Sequence, residues 1–345
     1  MNKESYPIDI VIPWVDPTDS VWQEEKEVWS IKEGVLSVSD DSENRYRDWN
    51  TLKYLFRGID KFASWVRTVH LITYGHLPKW LNQDAPKLHI VKHKDYLLPE
   101  YLPTFSSHTI ELSMHKIKGL AEHFIYFNDD ILLIKETKPE DFFRKGLPCD
   151  YAILNPAVSS HRYSVIDTAI TDIEVINDYF QKNSVIRKNF FKWFNPIYGI
   201  NNFKTLCLMP WPKFSNLYGR HLCLSYLKST FDTIWEREFE VLDSTSRHKF
   251  RTRRDVNQWL MRYWQLASGN FYPVSPDNLG RYFRLSNEND EFIAALSKKR
   301  YKVVCANDNG DDTISDFVKT KNKLINALER ILPEQSIFEI QDVRE

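Results

Sequence analysis

Short apolar runs alternate with longer amphipathic ones over residues 8–154, and this alternation limits the fold of the chain more than any other feature. The apolar runs are rich in β-branched and aromatic residues and span 8–15, 66–74, 87–93, 123–128 and 150–156. Several are apolar on both alternating faces, as strands buried in a parallel sheet are. Between them, 48–63 and 106–123 carry apolar residues at helical spacing. The pattern therefore predicts an α/β fold with a mostly parallel, Rossmann-like sheet flanked by helices.

The pattern changes near residue 157, where helical segments begin to alternate with aromatic, proline-containing loops. The clearest helix there is 255–268, and no strand is expected before about residue 300. We expect an α/β core over 1–156, a mainly helical insertion or second lobe over 157–298, and a strand and helix over 299–345 that return to the core.

The chain then returns to a strand at 301–307, and a helix over 315–332 is expected to begin with a Ser315 cap and to stop at Pro333. The polar segment 37–47 is the best candidate for a mobile loop.

The net charge of the chain and the lengths of its apolar segments exclude several classes of protein. Lys and Arg number 46 against 47 for Asp and Glu, a net charge of −1, so no global field favours nucleic acid. No apolar stretch approaches the ~20 residues of a membrane-spanning helix, and no secretory signal is visible. We therefore expect a cytoplasmic protein with no transmembrane segment. The four cysteines are far apart, which favours free thiols.

The first strand-like run ends in Trp14 and is followed by the carboxylates Asp16 and Asp19. In open α/β sheets, ligands bind beyond the carboxyl ends of the strands. An indole and a carboxylate at such a place suit a nucleotide, because one offers aromatic surface to the base and the other an acceptor to a ribose hydroxyl. A proline-containing turn that caps the next helix is the alternative interpretation.

A second polar site, Asn128-Asp129-Asp130, interrupts what would otherwise be one continuous apolar segment. Adjacent carboxylates in such a place are costly unless something positive neutralises them. A divalent metal that bridges a ligand diphosphate would do so, because Mg²⁺ favours carboxylates together with phosphate oxygens. An ordinary turn of a hairpin is the alternative interpretation.

The same arrangement recurs after the strand predicted at 301–307, where Asn307 and Asp308 follow an apolar run. The acidic residues that follow lack the spacing of a calcium loop with its bidentate Glu. A third site of the same kind is therefore predicted at this strand end.

A basic cluster over 244–256 precedes a predicted helix and contains Arg247, His248, Lys249, Arg251, Arg253 and Arg254. Guanidinium groups bind phosphate in a bidentate manner and can oppose charge that develops at a phosphorus centre. A solvated basic run is the alternative interpretation. Neither a phosphate-binding P-loop nor a dinucleotide-binding glycine motif is present in the sequence.

Taken together and in order, these segments resemble the Stealth family of sugar-phosphate transferases. The family includes bacterial capsular and exopolysaccharide phosphotransferases and the catalytic subunit of the lysosomal-enzyme N-acetylglucosamine-1-phosphotransferase. The blocks that carry the resemblance are 8–19, 45–81 followed by 102–133, 246–256, and 301–317 continuing to 331–339.

The resemblance implies transfer of a hexose-1-phosphate or N-acetylhexosamine-1-phosphate from a UDP-sugar to a sugar hydroxyl, with release of UMP. It also implies a GT-A-like sheet, a divalent metal (Mg²⁺ or Mn²⁺), and an oligo- or polysaccharide acceptor that can be lipid-linked, with the enzyme then peripheral to the inner membrane face. The residues assigned to these roles are Trp14, Asp16, Asn128, Arg247 and Arg254 for substrate binding, Asp129, Asp130, Asn307 and Asp308 for the metal site, and His248, Arg251 and His108 for catalysis. His248 is the leading general base and His108 the alternative.

Two other readings stay open. A glycosyltransferase would use a similar cleft and similar carboxylates but would release UDP. A carbohydrate-binding module would fit the 14% aromatic content, but it would leave the acidic residues of 128–130 without a purpose.

Overall fold

The computed structural model describes residues 6–35, 48–159, 166–308 and 314–341. The loop predicted over 37–47 lies outside these residues. The strands are Ile8–Pro13 (β1), Val69–Thr73 (β2), Leu88–Lys92 (β3), His123–Tyr126 (β4), Ile131–Leu133 (β5), Phe143–Arg144 (β6), Leu147–Asp150 (β7), Leu224–Leu227 (β8), Tyr272–Pro273 (β9), Gly280–Arg284 (β10) and Val303–Asn307 (β11).

The helices of the same residues are Ser20–Lys32 (α1), Leu52–Phe62 (α2), Ser107–Leu112 (α3), Ile166–Tyr179 (α4), Lys182–Lys188 (α5), Phe190–Trp193 (α6), Asn201–Leu208 (α7), Lys228–Arg237 (α8), Phe239–Arg247 (α9), Trp259–Ser268 (α10), Asp290–Ser297 (α11) and Phe317–Ile331 (α12). Eight of them, α4 to α11, fall between residues 157 and 298. This confirms the mainly helical second part of the predicted fold.

The central sheet has five strands in the order β3-β2-β1-β4-β8. β1, β2, β3 and β4 are parallel, and β8 is antiparallel to β4. The predicted α/β fold with a mostly parallel sheet is therefore confirmed. Two smaller sheets, β10-β11-β5 and β6-β7-β9, lie beside it.

Alternate residues of β1 enter two different cores, as the twofold repeat of a strand requires. Ile10 and Ile12 belong to a core with α2, β5, β11 and α12, whereas Val11 belongs to a core with α3, α4, α8 and α10. Both faces of the sheet are thus covered, which accounts for the apolar residues on both faces of its strands. The buried polar residues Asp9 and His70 lie 3.0 Å apart, from Oδ2 to Nε2.

Helix α2 buries the predicted stripe of Leu52, Leu55, Phe56, Ile59 and Phe62. Its Gly58 faces β5 so closely that a Cβ atom there would lie 2.4 Å from the Leu133 carbonyl oxygen. The helix and the β4–β5 segment are therefore in backbone contact, and only glycine permits this approach.

A buried ion pair fastens the last described segment to α2. Arg57 donates from Nε and Nη2 to the two carboxylate oxygens of Glu339, at 2.8 and 2.9 Å. Arg57 is 4% exposed and Glu339 is 2% exposed, so the pair is buried and its charges need compensation. Arg57 has a second, partly exposed carboxylate partner in Glu329, at 3.0 Å. The predicted return of the final segment to the core is observed at this contact.

Four local predictions were wrong. The helix expected over 106–123 ends at Leu112, where the Trp235 indole donates to the Leu112 carbonyl at 2.8 Å. The strand expected over 150–156 ends at Asp150, which turns to bind Arg262. The last helix is capped by the Asp316 side chain rather than by Ser315. Strands were not expected between 157 and 300, yet β8 to β10 are present because they pair with strands distant in sequence.

No helix within the described residues is both long and apolar enough to cross a membrane. The four cysteines are free thiols, as predicted. The division of the chain at residues 156 and 298 stays a prediction.

Candidate active site

Two of the predicted polar sites leave the central sheet at the same edge. β1 and β4 are parallel neighbours, with Ile10 opposite Ile125 and Val11 opposite Tyr126. The Phe127 amide then donates to the Val11 carbonyl at 2.9 Å. The segments after Pro13 and after Tyr126 therefore emerge side by side at the carboxyl ends of the strands, where ligands bind in sheets of this kind.

The third site joins this edge through the β10-β11-β5 sheet. β5 is antiparallel to β11, with Ile131 opposite Cys305, and the Ala306 amide donates to the Asp130 carbonyl at 2.9 Å. The pairing brings Asn307 to Asp130, although the two residues are far apart in the chain. The predicted sites at 128–130 and 307–308 are thus parts of one acidic centre.

Asp130 is the hub of this centre. Its Oδ2 accepts hydrogen bonds from Asn307 Nδ2 at 2.7 Å and from the Cys305 thiol at 3.3 Å, and lies 3.4 Å from His221 Nε2. Asn128 lies 3.1 Å from the same ring nitrogen of His221. Asn307 therefore orients the carboxylate through its amide nitrogen.

The electrostatics differ between the two neighbouring carboxylates. Burial alone would raise the pKa of Asp130, but the His221 charge and the hydrogen bonds from His221, Asn307 and Cys305 hold that pKa below its ordinary value. The surrounding protein and the negative charges of Asp130 and Asp48 raise the pKa of Asp129 to about 7, although its side chain still reaches solvent. Asp130 is thus the permanent charge of the centre.

The acidic centre contains atoms that can act as metal ligands. The second carboxylate oxygen of Asp130, Oδ1, is buried and has no hydrogen-bond partner in the part of the chain that is described, which is costly in the absence of a positive ligand. Asp129 and Asp308 follow in sequence next to Asp130 and Asn307, and Trp49 donates to Asp308 Oδ2 at 3.2 Å. One oxygen of Asp130, one nitrogen of His221 and the Cys305 sulfur lie within 4.8 Å of one another.

The polar and aromatic residues of the segment after β1 make contacts within the chain itself. Trp14 is only 8% exposed and its ring meets His76 edge to face, with 5.4 Å between centroids. Asp16 accepts from the Thr18 amide and hydroxyl at 2.9 and 2.7 Å. Asp19 caps α1 by accepting from the Trp22 amide at 2.8 Å. The helix cap proposed as the alternative interpretation is therefore present, in Asp19.

A second constellation joins α3 to the basic segment 247–255. Asp255 is fully buried and lies between two histidines, 2.8 Å from His248 Nδ1 and 3.3 Å from His108 Nδ1. Thr252 donates to the same carboxylate from its amide and its hydroxyl, at 2.8 and 2.6 Å. The two histidines predicted as alternative bases thus share one carboxylate.

The shared carboxylate acts differently on the two rings. The Asp255 hydrogen bond and charge raise the pKa of His248 against the effect of partial burial, and the hydrogen bonds from both histidines and Thr252 hold the pKa of Asp255 far below its ordinary value despite burial. The His248 side chain is 39% exposed, whereas that of His108 is 8% exposed. His248 is therefore the histidine that a substrate hydroxyl can reach.

The three predicted arginines are placed differently. Arg251 donates to the Ser107 hydroxyl at 2.6 Å, next to His108. Arg247 is bound to Asp243 at 2.7 Å and lies 3.7 Å from Glu100, which already compensates its charge. Arg254 is exposed. Of the three, only Arg251 is held against α3.

Glu111 and Tyr126 connect the two constellations. Tyr126 ends β4 and donates to Glu111 Oε1 at 2.9 Å. Burial and the Glu111 charge raise the pKa of Tyr126, and the nearby Arg251 charge opposes them. Glu111 also contributes to raising the pKa of His221. The Tyr126–Glu111 hydrogen bond therefore joins the end of β4 to α3.

Sequence reasoning missed Asp255 and His221. Asp255 lay inside the block at 246–256, and a carboxylate a few residues from a histidine was a usable signal. His221 follows no recognisable strand or motif. Only the long-range contact with Asp130 identifies it.

Comparison with known proteins places the chain in a family. The model of Stealth protein CR2, conserved region 2, matches residues 45–149. The capsular polysaccharide phosphotransferase WcwK of Streptococcus pneumoniae is 39% identical over 98% of this chain and 99% of that protein. The receptor polysaccharide phosphotransferase WefC of Streptococcus oralis is 38% identical over 99% of this chain and 100% of that protein.

More distant proteins show the same extent of match. The exopolysaccharide phosphotransferase cps2G of Lactiplantibacillus plantarum is 33% identical over 97% of this chain and 96% of that protein. A crystal structure of the galactosyltransferase LgtC, in complex with donor and acceptor sugar analogues, aligns with a TM-score of 0.39 at 9% identity over 93% of this chain and 95% of that chain. That weak likeness adds nothing to the assignment, whereas the full-length identities to the phosphotransferases settle it: the chain belongs to the Stealth family.

Proposed function

We propose that the chain transfers a sugar 1-phosphate from a UDP-sugar to a hydroxyl of an oligo- or polysaccharide acceptor, and that it releases UMP. Full-length relatives named as polysaccharide phosphotransferases support the reaction class. The observation that carries the proposal is the buried, unpartnered Oδ1 of Asp130 at the carboxyl edge of the sheet, in a chain whose Asp255-bound His248 is open to solvent.

Asp130, Asp129 and Asp308 are the residues that would hold a divalent metal, with Mg²⁺ or Mn²⁺ favoured because all three offer hard oxygen ligands. Such an ion would neutralise the diphosphate of the donor and the charge that develops on the departing UMP. Asn307 and His221 hold the Asp130 carboxylate in place through its other oxygen.

The chain's own residues account for the proton and for the phosphoryl charge. The acceptor oxygen forms a bond to the sugar-bearing phosphorus, the bond to the bridging oxygen breaks, and that oxygen leaves with UMP. His248 Nε2 takes the hydroxyl proton while Asp255 holds Nδ1 and so fixes the ring and its tautomer. Arg251 opposes the negative charge of the phosphoryl oxygens.

The remaining parts of the proposal concern binding and location. The donor nucleotide is assigned to the segment after β1, where Trp14 and Asp16 follow the end of the strand. A cytoplasmic location, with an acceptor attached to a lipid at the membrane surface, completes the proposal.

The test is to incubate the protein with UDP-sugars, Mg²⁺ and acceptor polysaccharide, and to identify the released nucleotide by chromatography and the product by phosphorus NMR. UMP together with a new phosphodiester signal is the expected result. UDP without that signal would show glycosyl transfer and refute the proposal. His248→Gln serves as the matched control, because it keeps the ring's approximate size but removes the base.

A further inference from the structure

One long segment of the chain contains no acidic residue. Between Asp178 and Asp232 there is neither Asp nor Glu, while this stretch contains eight of the 46 basic residues. All 47 acidic residues therefore lie elsewhere. The near-neutral net charge of the chain conceals a strongly positive region, which covers α5, α6 and α7.

The same segment exposes large apolar side chains. Ile200 is 85% exposed and Phe191 is 81% exposed, in a protein whose other aromatic side chains are mostly buried. The exposed apolar residues of 182–213 are Phe190, Phe191, Ile197, Ile200, Phe203, Leu206 and Trp211. Soluble proteins rarely expose so many large apolar residues in one segment unless that surface binds something.

These residues belong to one compact unit rather than to scattered loops. Asn195 Nδ2 donates to the Phe191 carbonyl at 2.9 Å, and Asn202 Nδ2 donates to the Asn195 carbonyl at 2.8 Å. At the other end, the buried Lys182 ammonium binds the carbonyls of Leu208 and Met209 at 2.7 and 3.1 Å, and that of Trp211. The exposed apolar residues and the exposed cations of this unit are called the apolar-basic surface below.

The cations of the surface divide into two groups. Lys182 and Lys192 are turned inward and bind backbone carbonyls, so they support the fold. Arg187, Lys188, Lys204 and Lys213 are exposed among the apolar residues. Lys213 also donates to the Asn177 carbonyl at 3.0 Å, and Lys204 lies 4.6 Å from the centroid of the Tyr218 ring. The segment itself contains no carboxylate that could neutralise these four charges.

We propose that the apolar-basic surface is a membrane-docking site that binds an anionic lipid bilayer. Aromatic and aliphatic side chains that enter the headgroup region, bordered by Lys and Arg that contact anionic lipids, are the features by which proteins lie on a membrane. A sugar site would instead be concave, with polar groups that converge on the ligand. Side chains such as those of Ile200, Phe203 and Leu206 offer a polymer of sugars no hydrogen bond.

The inference does not depend on the proposed reaction. No helix within the described residues could cross a membrane. Docking through this surface would bring the enzyme to the membrane surface, where a lipid-linked acceptor is found.

The test is co-sedimentation of the full chain with phosphatidylcholine vesicles, with and without phosphatidylglycerol. We expect binding to the anionic vesicles only, and we expect high salt to weaken it because salt screens the contacts of exposed Lys and Arg. Absence of binding to anionic vesicles, or equal binding to neutral ones at every salt concentration, would overturn the proposal.

Two triple variants test the surface itself. Phe191→Ser/Ile200→Ser/Phe203→Ser removes apolar side chains that are already exposed, and Arg187→Gln/Lys188→Gln/Lys204→Gln removes charges. The charge variant is expected to lower the vesicle partition coefficient by roughly 10²-fold, since it removes three charges that each contribute ~1 kcal/mol near an anionic surface and ~1.4 kcal/mol is a factor of ten. The apolar variant is expected to lose at least as much.

The matched control for charge is Lys298→Gln/Lys299→Gln/Arg300→Gln, which alters three exposed cations at the end of α11. It should bind vesicles like the unaltered chain. An equal loss in this control would indicate unspecific charge attraction and refute the assignment. Retained vesicle binding in both surface variants would also refute the assignment. So would binding of a phosphodiester polysaccharide in the absence of vesicles, if the surface variants abolished that binding.

A spectroscopic measurement keeps the test independent of variant folding. Vesicles with brominated acyl chains quench indoles that enter the bilayer, and Trp211 is 57% exposed. The quenching of the unaltered chain should fall in Trp211→Phe, which keeps the side chain apolar. Quenching that is unchanged in this variant would place the contact elsewhere.

Discussion

Replacing Asp255 with Asn should shift the pH dependence of the reaction to lower pH as well as slow it. The carboxylate accepts hydrogen bonds from His248 and His108 and from two groups of Thr252. An amide of the same size has one acceptor oxygen, and its NH₂ group would face a donor. The negative charge that raises the pKa of His248 would also disappear.

The magnitude follows from the hydrogen bond at 2.8 Å between Asp255 and His248 Nδ1. A hydrogen bond to a charged group contributes about 1.5–3 kcal/mol, and 1.36 kcal/mol corresponds to one pKa unit. Partial solvent exposure of His248 reduces this gain, and we expect its pKa to fall toward that of an imidazole without the carboxylate. A base must be neutral to accept a proton, so the acidic limb of the rate profile should move down by the same amount.

The rate on the plateau should fall by roughly 10² or more, because the ring would lose its orientation and its enforced tautomer. The assay is the initial rate of nucleotide release between acidic and alkaline pH, with thermal unfolding as a check on the fold. Thr252→Val is the matched control, since it removes a hydroxyl from Asp255 but leaves both histidine contacts. If the acidic limb of Asp255→Asn stays in place while the rate falls, His248 is not the titrating base.

Three further changes test the acidic centre and the fold. Asp130→Asn should abolish turnover and the stabilisation of the fold by Mn²⁺ in a thermal shift measurement, while the variant still unfolds cooperatively; unchanged activity would rule out the metal assignment. Glu339→Gln should lower the unfolding free energy in urea by about 3 kcal/mol at neutral pH, because it leaves the buried Arg57 undercompensated. Hydrogen bonds from Arg57 hold the pKa of Glu339 below its ordinary value against burial, so this difference should vanish as the pH falls through that lowered pKa; a difference that persists in acid would contradict the reasoning. Gly58→Ala should destabilise the chain by ~1–3 kcal/mol through its contact with the Leu133 carbonyl, whereas a gain in stability would show that the backbone yields there.

The helices and strands that could be predicted are those whose apolar residues follow directly from which of their faces are buried. The parallel strands are apolar on both faces because both faces are covered, and the stripe of α2 faces one core. The missed elements depend on distant partners. β8 has partly exposed residues at the sheet edge, and α3 ends at Leu112 because of a bond from Trp235. No local pattern contains that information.

The candidate site was predictable to a similar degree. Polar residues at the ends of apolar strands marked Asp130 and Asn307, and the topology then brought them together. The arginines could not be ranked from the sequence, because Arg247 is already bound to Asp243 while Arg251 is held at α3. Whether a charge is compensated by a neighbour is decided by tertiary contacts, and a basic run looks the same in either case.

The two halves of the site depend on different parts of the fold, and this dependence limits how the enzyme can work. The acidic centre is fixed by β5 and β11, while His248 is fixed by Asp255 and by α3. The Tyr126–Glu111 hydrogen bond joins β4, which leads into Asp130, to α3, which carries His108. Under the proposed function, a substrate that engages both halves would lie along the end of β4, with its phosphates toward Asp130 and its attacking hydroxyl toward His248. That order matches phosphoryl transfer, in which the base and the metal act on opposite sides of the phosphorus atom.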